Sequence, residues 1–182
     1  MKKIICLYGG PGSGKSTTAA GLFYKLKLMG YNCELNREYV KDWGWEGRKI
    51  AEGDQTFFFA KQSRKERILI RNGLDFIITD SPLILTHFYG LKYDWMEQNF
   101  NTSEMMLKHH HEYCKKYGYT TDHFFLFRQK KYNPAGRYQT EDEAKQYDVE
   151  IKALLDAKGI KYKNVEGVET SIDEIIQHLG VK

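Results

Sequence analysis

The chain has 182 residues, of which 41% are hydrophobic and 29% charged, enough apolar content for one sizeable core and too much for wholesale disorder. No apolar run approaches the roughly 20 residues of a membrane helix, and the glycines after Met1-Lys2-Lys3-Ile4-Ile5-Cys6-Leu7 cut the first apolar stretch too short for a signal peptide. A formal charge of +4 suits an anionic ligand but does not by itself argue for DNA.

In chain order, Lys3 to Tyr8 reads as a short buried strand and Gly9 to Gly14 as a turn. From Lys15 to Met29, apolar residues recur at Ala19, Leu22, Phe23, Leu26 and Met29, a helical spacing closed by Gly30. Tyr31 to Arg37 is a second strand. Asp54 to Asn72 reads as a helix with Asp54 as its cap and Gly73 past its end. Phe76 to Thr79 is a buried strand stopped by Asp80-Ser81-Pro82. The stretch Trp95 to Tyr117 holds one or two helices. His123 to Phe127 is an apolar strand, and the polar segment Arg128 to Thr140 follows it, with Pro134 and Gly136 inside. Glu141 to Lys158 is helical and ends at Gly159; Tyr162 to Val165 is a last strand; Ser171 to Leu179 is a last helix capped by Ser171. This alternation predicts an α/β fold, a parallel sheet with right-handed crossovers and helices on both faces. Repeats and low-complexity linkers are absent, so residues 1–182 are expected to form a single domain. Cys6, Cys33 and Cys114, odd in number and far apart, fit reduced thiols in a cytoplasm.

Gly9-Gly10-Pro11-Gly12-Ser13-Gly14-Lys15-Ser16 matches G-x-x-x-x-G-K-[ST] between a predicted strand and a predicted helix. Glycines let backbone N–H groups turn inward as an anion nest, and the helix N-terminus adds its positive dipole end. Gly10, Gly12, Ser13, Gly14, Lys15, Ser16 and Thr17 are therefore expected to hold ATP, with Lys15 on the β- and γ-phosphates and the Ser16 hydroxyl on Mg²⁺. Asp80, ending a strand, is the expected metal-facing carboxylate or, in place of Glu38, the base; Asp-Ser-Pro is also good turn chemistry.

Three features point beyond nucleotide binding to a small kinase. Glu38, directly after the second strand, is placed where a carboxylate can face the phosphate loop at the sheet's carboxyl edge and orient or deprotonate an acceptor hydroxyl. Gln55 and Gln62 on the third predicted helix carry amides able to pair with a base edge, near Phe57, Phe58 and Phe59, which cannot all face one way. Arg64 and Arg67 farther along either clamp an acceptor phosphate or solvate the helix face. The cationic segment Arg128 to Thr140 has the makings of a lid that excludes water and brings Arg137, and Arg128, to the transferring phosphoryl.

On these residues the chain resembles the small P-loop kinases of nucleosides and nucleotides over nearly all its length. Glu38-x-Val40-x-x-Trp43 is similar to the Glu-Pro-Val-x-x-Trp stretch of deoxyribonucleoside kinases, whose Glu is the base for the sugar hydroxyl. Phe59-Ala60-Lys61-Gln62 resembles their Phe-Gln helix, whose Gln reads the nucleobase. The resemblance implies a three-layer P-loop fold with strand order 2-3-1-4-5 and a lid at about residues 129–141. Departures are Asp80-Ser81-Pro82, where those kinases carry Glu/Asp-Arg-Ser, and Tyr39 in place of their proline. The chain thus also looks like the ribosylnicotinamide kinases and like the phage kinases that phosphorylate 5-hydroxymethyluracil within DNA.

The expected activity is ATP- and Mg²⁺-dependent transfer to a nucleoside- or nucleotide-like acceptor. Lys15, Glu38, Asp80, Arg128 and Arg137 are the candidate catalytic residues. Glu38, Trp43, Gln55, Phe59 and Gln62 would bind the acceptor, and Ser16 and Asp80 the metal. Two alternatives stay open, a kinase of a modified base in DNA and a nucleotide-gated switch. A cytoplasmic location and no membrane contact are expected; a homodimer is left open. His109-His110-His111 does not read as a metal site, because consecutive helical residues point roughly 100° apart and no Cys or carboxylate cluster of metal-ligand spacing accompanies it.

Overall fold

Strand β1 (Lys3–Tyr8) lies in the middle of a five-stranded sheet whose other members are β2 (Cys33–Asn36), β3 (Phe76–Thr79), β4 (Thr120–Phe127) and β5 (Lys163–Glu166). The computed structural model describes residues 1–129, 131–135, 137–166 and 168–181. All pairings are parallel and the order is β2-β3-β1-β4-β5, as the alternation and the resemblance imply. A central parallel strand is covered on both faces, which is why Ile4, Ile5, Cys6, Leu7 and Tyr8 run apolar without alternation and are all buried.

Their side chains nevertheless divide by parity. Ile4, Cys6 and Tyr8 join one core with Ile70 of α3 (Asp54–Arg71), Ile84, Leu85 and Phe88 of α4 (Leu83–Tyr93), Cys114 of α6 (Thr102–Lys116) and Ile151 of α7 (Glu141–Ala157). Ile5 and Leu7 join the other, with Ala19, Leu22 and Leu26 of α1 (Lys15–Leu28) and Ile175 and Leu179 of α8 (Val168–Leu179). Two short helices, α2 (Val40–Trp45) and α5 (Trp95–Phe100), complete the chain order. No helix among the described residues is long and apolar enough to cross a membrane.

Several boundaries differ from the sequence reading. The second strand is shorter than Tyr31 to Arg37, because the Tyr31 N–H still bonds Leu26 O in the turn that closes α1. Gly53, with φ 87°, caps α3 in place of Asp54, whose carboxylate accepts from the Ala51 N–H at 2.6 Å. Ser171 lies inside α8 and its Oγ meets Thr18 Oγ1 at 3.2 Å, so it joins two helices and does not cap one. The stretch from Trp95 to Tyr117, read as one or two helices, is two, divided at Asn101 with φ 49°. Helices α2 and α4 were not anticipated. Nor was the company of His110: its Nε2 lies 2.7 Å from a Glu66 oxygen, and Cys114 stands beside the pair in the core.

Candidate active site

The register fixes where the candidate residues emerge. Asn36 pairs with Thr79, and Thr79 with Cys6, so the segments that leave β1, β2 and β3 at their carboxyl ends lie side by side, where ligands of open α/β sheets bind. They border a cleft of about 440 Å³, within the 300–1,000 Å³ typical of ligand pockets. Gly12, Gly14, Lys15, Ser16, Thr17, Glu38, Gln55, Gln62 and Arg137 all line it.

Two glycines in the loop from Gly9 to Gly14 have mechanical reasons. Gly14 caps α1 at φ 100°, which a side chain would strain. Gly10 packs so close to α7 that a Cβ would sit 2.4 Å from Ala144 O. Its N–H donates to Asp148 Oδ1 at 2.5 Å. Lys15 Nζ bends back over the loop and donates to Gly9 O at 2.6 Å and Gly10 O at 3.0 Å. Ser13 Oγ is buried without a hydrogen-bond partner among the described residues.

Charge is concentrated opposite this loop. Asp80, 4% exposed, accepts the Glu38 N–H through Oδ1 at 2.9 Å, tying the end of β3 to the residue that follows β2. Burial, and next the Asp80 charge, raise the Glu38 carboxyl above its ordinary value, while Lys15, Lys41 and Arg137 pull it down. The Lys15 ammonium is pushed below its ordinary value, chiefly by burial, against Glu38, Asp80 and Asp148. Each is thus shifted toward its neutral form in a shared cleft, as at many functional sites.

The two arginines of the segment after β4 part company. Arg128 donates through Nε and Nη2 to Asp148 Oδ2 at 3.1 and 3.0 Å, through Nη1 to Pro11 O at 2.7 Å and through Nη2 to Ala144 O at 3.1 Å. It belts the phosphate loop to α7 from outside the cleft. Arg137 lines the cleft; its Nε bonds Asn133 O at 2.8 Å and its guanidinium lies 5.6 Å from the Tyr132 ring. Tyr138 of the same segment donates to Arg48 O at 2.7 Å. Lys130 and Gly136, both within the expected lid, lie outside the described residues.

On the α3 side of the cleft, Gln62 is 2% exposed and its Nε2 donates to Asn36 O at 3.4 Å. Helix α3 turns about 100° per residue, so Phe58 faces the cleft while Phe59 turns away into a second groove. Trp43 stacks edge-on to Phe58 with centroids 4.9 Å apart, behind the wall, and Trp45 borders the cleft instead. Tyr89 was missed with its helix, α4; burial and the Glu38 charge raise its phenol. Asp148 was missed because nothing near it in sequence marks it as a partner of Gly10 and Arg128.

A glycine-turned loop with its lysine at the head of α1, on a parallel sheet of order β2-β3-β1-β4-β5, defines a P-loop NTPase-like fold. The chain belongs to the AAA domain family, whose profile matches residues 4–174. Over 44 residues it is 46% identical to a "putative adenylate kinase" of Thermoplasma volcanium, a stretch covering 24% of this chain and 26% of that protein. The match therefore spans about a quarter of that curated relative. Among solved structures, deoxyadenosine kinase from M. mycoides with bound dATP is 15% identical, with 97% of this chain and 98% of that one covered and a TM-score of 0.56. NadR protein in complex with NR is 16% identical, with 100% and 52% covered and a TM-score of 0.63. At these identities the likeness is one of fold.

Proposed function

We propose that the protein is an ATP- and Mg²⁺-dependent phosphotransferase that moves the γ-phosphoryl group to a hydroxyl or phosphate of a nucleoside-like acceptor. The observation that carries this reading is a single cleft with the phosphate loop and Lys15 at one end, and Glu38, Gln55, Gln62 and aromatic walls at the other. A switch needs the first half only. The shared fold of deoxyadenosine kinase and NadR supports the same reading.

The residues fit both groups that the reading requires. The glycine-turned loop at the head of α1, with Lys15 in the cleft, suits a triphosphate, and hard oxygen donors at Ser16 and Asp80 suit Mg²⁺. When bound, Mg²⁺ would neutralise charge on the β- and γ-phosphate oxygens. Lys15 exchanges its hold on the Gly9 and Gly10 carbonyls for phosphate oxygens. Glu38 accepts the proton of the acceptor hydroxyl as that oxygen bonds the γ-phosphorus and the bond to the β–γ bridging oxygen breaks, releasing ADP. Asp80 positions Glu38 through its backbone N–H and serves the metal. Arg137 brings its guanidinium to the transferring group as the segment at about 129–141 closes. Gln55 and Gln62 pair with the acceptor's base edge, with Phe58 and Tyr39 beside them. Arg128, Trp43 and Phe59 act at one remove, holding the loop or packing behind the wall.

The test is ADP release from ATP and Mg²⁺ across free nucleosides, nucleoside monophosphates, nicotinamide riboside and hydroxymethylated DNA. One acceptor class raising ADP release well above the water background supports transfer and names the acceptor. The same slow hydrolysis with every acceptor refutes it in favour of a switch.

A further inference from the structure

Beside the cleft, on the adjoining face of α3, runs a second groove of about 490 Å³ between α3 and α6. Arg64, Arg67 and Arg71 line it from α3, His109 and Tyr113 from α6, and Phe59 lies in its floor. The arginines follow i, i+3, i+7 spacing, which aligns them along one helix face over about 10 Å at 1.5 Å rise per residue.

Their charge is not spent within the protein. Some cations of the chain pair with carboxylates, as in Lys3–Asp122, Lys25–Asp173, Lys92–Glu150 and Arg128–Asp148. Among the described residues, Arg64, Lys65, Arg67 and Arg71 have no such partner. Glu66 is the sole acid between Gln55 and Leu74, and it turns inward to His110 and Asn36. Arg67 is held at the groove by non-acidic groups: its guanidinium lies 4.9 Å from the Tyr113 ring and donates to His109 Nδ1 at 2.9 Å. Its Nε, shielded from solvent, meets no acceptor among the described residues.

We propose that the α3–α6 groove binds the phosphate backbone of single-stranded nucleic acid. A row of guanidinium groups about 10 Å long reaches beyond a lone phosphate and suits a chain of them. Grooves that bind single strands join a cationic track to aromatic side chains, and here Tyr113, which packs against Arg67 and Tyr117, borders the row. The proposal goes beyond the transfer reaction and does not depend on it, because the groove shares no charged residue with the cleft.

The test is fluorescence anisotropy of a labelled oligothymidylate over a salt series, with the intact chain. The wild-type protein is expected to bind, with log K falling linearly against log salt. Arg64 and Arg71 are exposed, so the double substitution Arg64→Ala, Arg71→Ala is expected to fold, checked by its melting temperature. It should weaken binding about tenfold or more at low salt and reduce the slope by about 1.4, at roughly 0.7 for each lost phosphate contact. With Arg64→Ala kept, Arg71→Lys in place of Arg71→Ala should restore about half of the lost slope, roughly 0.7, and Lys161→Ala with Lys163→Ala, remote on the chain, should leave the wild-type slope unchanged. Absence of binding at low salt, or equal slopes for the two double variants, overturns the proposal. So does equal competition by polyglutamate, which carries the charge without phosphates, or by duplex DNA of the same length. Loss of ADP release with binding intact would strike the phosphotransfer reading alone.

Discussion

Glu38 holds a proton more tightly than an ordinary carboxyl because burial and Asp80 disfavour its charge. Catalysis needs the deprotonated form, so kcat/KM should fall as pH drops through this raised pKa, at higher pH than an ordinary carboxylate would give. Glu38→Gln should remove that acidic limb and lower kcat about 10²- to 10⁴-fold, with ATP affinity nearly unchanged; loss of ATP binding would move Glu38 off the acceptor side. A folded-state pKa above the unfolded one also means that ionising Glu38 costs stability above that pKa. Glu38→Gln should therefore melt higher than wild type near neutral pH, and the gain should vanish in acid, where the carboxyl is protonated in both states. Lys15→Ala removes only two side-chain bonds to backbone carbonyls, so the fold should persist while turnover drops at least 10²- to 10³-fold, the scale for one lost charge-stabilising donor. Near-normal turnover in that variant would remove the loop from the reaction. Lys15 and Glu38 were legible in the sequence because a spacing rule or a strand end marks each. Asp148 was not: it binds Gly10 from 138 residues away, and only the folded chain brings them together.

The phosphate loop takes its shape partly from α7. Arg128 bridges Pro11, Ala144 and Asp148, with the arginine and aspartate side chains 10% and 20% exposed. Removing one partner of such a sheltered pair leaves the other without compensation, at a cost of about 3 kcal/mol. For a chain of this size Arg128→Ala should then lower Tm by roughly 10 °C and raise KM for ATP more than it lowers kcat; an unchanged Tm would show that the belt is ornamental to the fold. At the other end of the same segment, the Thr140 hydroxyl accepts from the Glu143 N–H while the Glu143 carboxylate accepts from the Thr140 N–H. Thr140→Ala should cost about 1 kcal/mol, read by denaturant unfolding. Elements with a clear period or a clean stop, such as β1, α1 and β3, were read nearly to the residue. Helix α4 escaped because Leu83, Ile84, Leu85 and Phe88 are all buried, so no polar face betrays a helical period. Helix α2, six residues long, is too short for periodicity to register.

Across the whole molecule, parallel register turns sequence-distant residues into neighbours at one sheet edge, beside Lys15 and the head of α1. Bound ATP should stabilise the fold by mass action, about 2.7 kcal/mol at a hundredfold excess over Kd, seen as a rise in Tm that Lys15→Ala suppresses. The Tyr138 contact with Arg48 joins the post-β4 segment to the chain beyond α2. The fold was legible as a whole because strands and helices alternate; the acceptor wall was not, because it is assembled from α2, α3 and α4, whose facing directions depend on packing. The most direct measurement is a crystal structure with a non-hydrolysable ATP analogue, Mg²⁺ and the best acceptor from the screen. The account predicts the triphosphate wrapped by Gly10 to Thr17, its terminal phosphate against Lys15, and the acceptor hydroxyl between that phosphate and Glu38. A terminal phosphate turned to solvent, with the space before Glu38 closed by the protein's own side chains, would contradict it.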